Sequence, residues 1–112
     1  MSDDRLSTSL WVQLHLRRCA ADSIPVYVLR KGEAESGLIL LKVVIPFQGA
    51  KVYTQSRDMD GKLGWFPGLN GAQVPESEAD AFIERATRRD PDLWVIEVES
   101  RDGSHPFEGK VI

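Results

Sequence analysis

Lys42 is the residue best placed to do chemistry, because it interrupts the apolar run Gly37–Pro46. A lysine partly withdrawn from water is harder to keep charged, so its pKa falls and its amine becomes nucleophilic. Tight hairpins before and after the run set registers that bring Lys42 beside Tyr27 and Tyr53. A strand near the C-terminus adds Glu97 to the same face. The group would offer a cation, a carboxylate and two phenols to a small molecule or a partner. The competing explanation is structural: a lysine laid along two tyrosines and paired to a glutamate on a half-covered sheet face. The structural explanation is favoured, and no catalytic residue is assigned.

Other candidates are plainer. Asp58-Met59-Asp60-Gly61 has the acidic spacing of a calcium loop, but its glycine comes too early and later ligand positions are missing. It is a hairpin turn. His15 and Cys19 stand at i, i+4, yet no further His or Cys cluster supports a metal or a nucleophile, and His105 lies alone near the tail. No metal site and no cofactor is expected. Arg17-Arg18 and Arg88-Arg89 suit the negative ends of helices. Gly68-Leu69-Asn70-Gly71 lacks the ending of a phosphate loop. Trp11, Trp65 and Trp94 are core or interface residues before they are ligand platforms.

Two helices and five strands must position these residues. The first helix is expected over Thr8–Ala21, with Ser7 as N-cap (or Ser9) and Leu6 stapled onto Trp11. Its apolar residues form two stripes, Val12, Leu16, Cys19 and Ala20 against Leu10, Trp11 and Leu14. Gln13 and Arg17 separate them on one side, His15 and Arg18 on the other. A helix with two stripes touches two things, so Leu10, Trp11 and Leu14 are the candidate interface with a second layer or subunit.

Strands follow at Ile24–Lys31, Leu38–Ile45, Ala50–Ser56 and Lys62–Phe66. The second helix begins at Pro75 or Glu76 and ends at Arg89, with one stripe of Ala79, Phe82, Ile83 and Ala86. Leu93–Glu99 is the fifth strand. Hairpin registers put Ile39, Leu41, Val43 and Ile45 on an apolar face with Ile24, Val26, Val28 and Val52.

The fold class is α+β, a single domain over 1–112 in the order α-β-β-β-β-α-β. A mainly antiparallel sheet of order 5-1-2-3-4 carries one helix on each face. The alternative is two layers, with both helices on one face and the other face buried in a dimer. Residues 1–6 are expected to fray, and about 104–112 either add a short edge strand or trail flexibly.

At 112 residues the chain can bury about two-thirds of its unfolded surface in one core. A net charge of −3 with dispersed Lys and Arg argues against nucleic acid or an anionic membrane as a partner. One cysteine excludes an internal disulfide and fits a reducing compartment. The start, Met-Ser-Asp-Asp, has no signal-peptide pattern, and no apolar run nears the ~20 residues of a membrane span. A cytoplasmic location is expected.

Several strings occur together: Leu-Trp-Val at 10–12, Arg-Arg-Cys at 17–19, Ile-Pro-Val-Tyr-Val-Leu-Arg-Lys-Gly at 24–32 and Arg-Asp-Met-Asp-Gly at 57–61. Glu-Ala-Asp-Ala-Phe-Ile at 78–83 and Asp-Pro-Asp-Leu-Trp-Val-Ile-Glu-Val-Glu at 90–99 complete the set. In order and spacing the chain resembles, over about residues 6–103, the small bacterial family known as domain of unknown function 1491. The resemblance implies a stand-alone cytoplasmic bacterial protein and carries over no catalytic residue.

The leading expectation is a non-enzymatic protein-interaction module, either a homodimer or a subunit of a complex. The alternative is a small-molecule binder or enzyme using the Tyr27, Lys42, Tyr53 and Glu97 face. Nucleic-acid binding comes third and needs both arginine pairs on one continuous face.

Overall fold

The computed structural model describes residues 6–112, so the fraying expected at the N-terminus lies, for residues 1–5, outside the described residues. The elements run α1 (Thr8–Ala21), β1 (Val26–Arg30), β2 (Ile39–Ile45), β3 (Gly49–Arg57), β4 (Leu63–Pro67), α2 (Glu76–Arg89), β5 (Trp94–Glu99) and β6 (Lys110–Val111). Ser7 caps α1, its side-chain oxygen accepting from the Leu10 N–H. α2 opens on Glu76 and Glu78 and closes on Arg88 and Arg89, matching its dipole.

The sheet is mixed, with three antiparallel and two parallel pairings among the described strands, in the order β1-β5-β2-β3-β4-β6. β5 inserts between β1 and β2, antiparallel to the first and parallel to the second. The expected order 5-1-2-3-4 is therefore wrong, because the Gly32–Gly37 loop is not a hairpin. It straddles the entry to β5. The Trp94 indole donates to the Glu33 carbonyl at 2.8 Å, and the Trp94 N–H donates to Leu38 O at 2.9 Å. Glu33 N–H donates to the Asp92 carbonyl at 3.0 Å. Gly32 and Gly37 approach that carbonyl so closely that neither has room for a Cβ. β1 is thereby placed at an edge.

Both faces are covered, one by each helix. Ile39, Leu41, Val43, Trp94, Ile96 and Val98 pack with Trp11, Val12 and Cys19 of α1. Leu40, Ala50 and Val52 pack with Ala79 and Ala86 of α2. Val52 thus lies on the α2 face, not with Ile39 as the hairpin registers suggested. The cause is the β2–β3 loop. Ile45 pairs with Gly49, leaving three residues, 46–48, in the turn. An odd loop puts residues of equal parity opposite one another, so Lys42 faces Val52 and Leu41 faces Tyr53. Phe47, fully exposed at the tip, holds a left-handed conformation (φ 66°) at the third position of the turn that Gln48 N–H closes onto Ile45 O at 2.9 Å.

The two stripes expected on α1 are in fact one. Trp11, Val12, His15 and Cys19 are buried together, and His15 is part of that core stripe rather than its polar border. The imidazole stacks on Trp11 at 3.6 Å between ring centres, and its Nδ1 lies 2.8 Å from the Trp11 carbonyl. The C-terminal segment completes the cluster. Phe107 is buried against Trp11, His15 and Trp65, and the Trp65 indole donates to Glu108 O at 3.1 Å. β6 then pairs in parallel with β4 as a two-residue edge.

Because Phe107 fills the space among three core rings, Phe107→Ala should destabilise the protein by about 3–5 kcal/mol in urea unfolding. A loss under about 1 kcal/mol would mean that the segment is not part of the cooperative core.

Candidate functional site

The β-sheet sets Tyr27, Glu97, Lys42 and Val52 in one row across β1, β5, β2 and β3. Three of the four residues singled out from the sequence therefore share a face, and the fourth does not. Tyr53 projects to the α1 side, where its ring meets His105 edge-on at 5.3 Å. Tyr27 stands at the open edge and is 52% exposed.

Lys42 is 3% exposed, beneath the first turn of α2. Glu76 and Asp80 stand one helical turn apart and both reach its ammonium. Its Nζ lies 2.8 Å from Glu76 Oε1 and 2.7 Å from Asp80 Oδ1, with Glu97 Oε1 at 3.3 Å. Burial alone pushes the lysine pKa down, but the hydrogen bonds and charges of Asp80 and Glu76 outweigh it and hold the value above the ordinary 10.5. This is opposite to what a nucleophilic amine needs. The lysine ties α2 to the sheet, and Glu76 and Asp80, which sequence reasoning missed, are its main partners. Their signal was present: two acids at i, i+4 at the start of a helix that must cross a strand with one buried cation.

The remaining candidates are also placed. Asp58 Oδ1 accepts from the N–H groups of Asp60 and Lys62, and Gly61 takes a positive φ of 81°, so the segment is a hairpin turn. Among the described residues no group of acids, histidines and cysteines is arranged to hold a metal. Cys19 is buried, and desolvation raises its thiol pKa, followed by the charge of Asp22. Arg17-Arg18 and Arg88-Arg89 end helices that cover opposite faces of the sheet. Of the expected interface residues, Trp11 is core, Leu14 is half-buried and Leu10 is exposed. No described helix is long and apolar enough to cross a membrane.

An exposed apolar strand lies elsewhere. Among the described residues β1 is a free sheet edge bearing Tyr27, Val28 and Leu29, the last 51% exposed at a bulge between Val28 and Arg30. At its start the edge meets a cleft of about 680 Å³ lined by Ile24, Pro25, Phe47, Glu99 and Arg101. Sequence reasoning missed this edge because it placed β1 inside the sheet.

Lys42→Met should cost about 2–3 kcal/mol at neutral pH, less than for a sealed pair because Glu76 and Asp80 can turn to water. Adding Glu97→Leu should restore at least half of the loss; a Lys42→Met protein as stable as its parent would contradict the tether. The lysine's contribution is complete below pH 10.5 and is lost as pH rises towards the folded value. His105 gives the opposite dependence. Burial lowers its pKa from 6.5, and its Nδ1 accepts from the Phe107 N–H at 3.2 Å. The folded state then binds fewer protons than the unfolded one, so stability should fall as pH drops below 6.5. His105→Gln should flatten that slope in unfolding midpoints measured from neutral to mildly acidic pH; an unchanged slope would exclude His105 as its source.

A family model described as Protein of unknown function (DUF1491) matches residues 6–108. The crystal structure of a DUF1491 family protein from Caulobacter crescentus CB15 is 37% identical, with a TM-score of 0.84 over 96% of this chain and 99% of that one. The NMR structure of a DUF1491 family protein from the same organism gives 37% identity and a TM-score of 0.83, over 96% and 97%. The solution structure of protein Atu0922 from A. tumefaciens is 27% identical, with a TM-score of 0.71 over 86% of each chain. The search of curated proteins found no match. With nearly its whole length matched, the chain belongs to the DUF1491 family of proteins of unknown function.

Proposed function

We propose that this protein is a non-enzymatic interaction module that accepts a β-strand along β1. The observation that carries the reading is the free edge itself. Val26–Arg30 is the outermost strand, and its Tyr27, Val28 and Leu29 are all exposed. Unpaired N–H and C=O groups beside apolar side chains form a template for strand addition. The other edge offers two residues only, since β6 ends at Val111.

A second copy of the chain is the simplest partner. Antiparallel pairing about Val28 sets Val28 against Val28 and Tyr27 against Leu29, and it places each Arg30 opposite a Val26 rather than another cation. The cleft beside Ile24, Pro25 and Phe47 extends the apolar surface past the strand, and its rim carries both Glu99 and Arg101. A two-fold contact there can pair those charges reciprocally. Leu10, exposed on α1, adds a second contact point for a complex subunit.

The test compares the parent with Val28→Lys by light scattering and by affinity purification with mass spectrometry from the native host. Val28 is exposed, so the variant should fold normally and shift by under about 1 kcal/mol in stability. It should lose either the dimer or one stoichiometric partner. A strictly monomeric parent that recovers no stoichiometric partner, or a partner indifferent to Val28→Lys, would overturn the proposal.

A further inference from the structure

Gln55 is the third buried polar side chain after His15 and Lys42, at 6% exposed, and its side chain forms no hydrogen bond among the described residues. Buried amides are nearly always paired, because losing water without a replacement partner is unfavourable. Gln55 stands on β3 opposite Trp65, on the sheet face covered by α1. Its side chain lines a cleft of about 110 Å³ between the start of α1 and the loop into β2. Trp11 and Ile39 supply apolar walls, with Thr8 and Ser36 beside them. Thr8 Oγ1 is already committed, donating to Gly37 O at 2.8 Å. Ser36 Oγ is committed too, donating to Glu33 Oε2 at 3.2 Å, so among the uncharged side chains of the cleft the Gln55 amide is the one left open.

We infer that this cleft is a binding site for a small neutral carboxamide. A primary amide offers donors and an acceptor side by side, and a neutral group that answers both at once is another amide. Charge argues for neutrality. Glu35 and Arg57, of opposite sign, both line the cleft, so its walls favour neither an anion nor a cation. Size limits the guest as well, since the space holds the equivalent of about three or four waters. This site is separate from the β1 edge and does not depend on it.

The test titrates the full-length protein with acetamide and follows ¹⁵N–¹H spectra, including the Gln55 side-chain NH₂. Saturable shifts centred on Gln55, Thr8 and Ser36, with a dissociation constant in the millimolar range, are expected. They should vanish in Gln55→Leu, or in Gln55→Met if the leucine variant does not fold. No saturable shift, shifts that survive the substitution, or an acetamide-soaked crystal with ordered water alone beside Gln55 would overturn the assignment.

Discussion

The structure depends on one constraint: β2 must be sealed on both faces. Six of its seven residues are buried, so a helix on one side cannot satisfy it. α1 meets Ile39, Leu41 and Val43, while α2 meets Leu40 and the neighbouring β3 residues. The lateral edges of β2 must be paired as well, since its backbone groups are equally shut off from water. β3 takes one side and β5 the other. Parallel pairing with a strand as apolar as β5 is what a doubly covered position allows. Everything less apolar, including β1 and β6, is displaced to the periphery.

Lys42 has to be reconciled with that constraint. Its backbone belongs to the sealed strand, but its ammonium sits under the positive end of α2, where a cation is unfavourable. Three carboxylates make the position tolerable. Two come from the helix and one from β5, so the charge ties α2 to the paired strands β2 and β5. The group is a strut between layers, and its protonation is held in the direction that favours attachment over reactivity.

The elements were legible, and their connections were not. Thr8–Ala21 and Glu76–Arg89 follow from capping, charge placement and periodicity, all of which are local. Strand order is a long-range property, and the short loop at 32–37 imitated a hairpin. The information was there in another form: two glycines spaced to clasp a backbone carbonyl, and a tryptophan needing a partner for its N–H. His15 was misjudged because hydropathy counts an imidazole as polar even where it stacks on an indole. Tyr53 was misjudged by a single residue of loop length, which reverses the face of every side chain that follows. Of the candidate group, Lys42 and Glu97 were found together; the acids of α2 were hidden because no sequence pattern states which strand a helix will cross.

β5 lies between two strands that precede it by more than forty residues, and this governs how the chain reaches its fold. β1 and β2 leave the ribosome before β5 but have no mutual hydrogen bonds to make. Their shared neighbour is synthesised only after β3, β4 and α2. The central parallel pair closes only after β3, β4 and α2 have been traversed, so its loop-closure entropy must be met before its contacts form. The decisive contact is therefore a distant one, and such pairings slow folding relative to chains of local contacts. Until β5 arrives, the apolar edge of β2 stands open, and that is the interval in which a chaperone has something to hold.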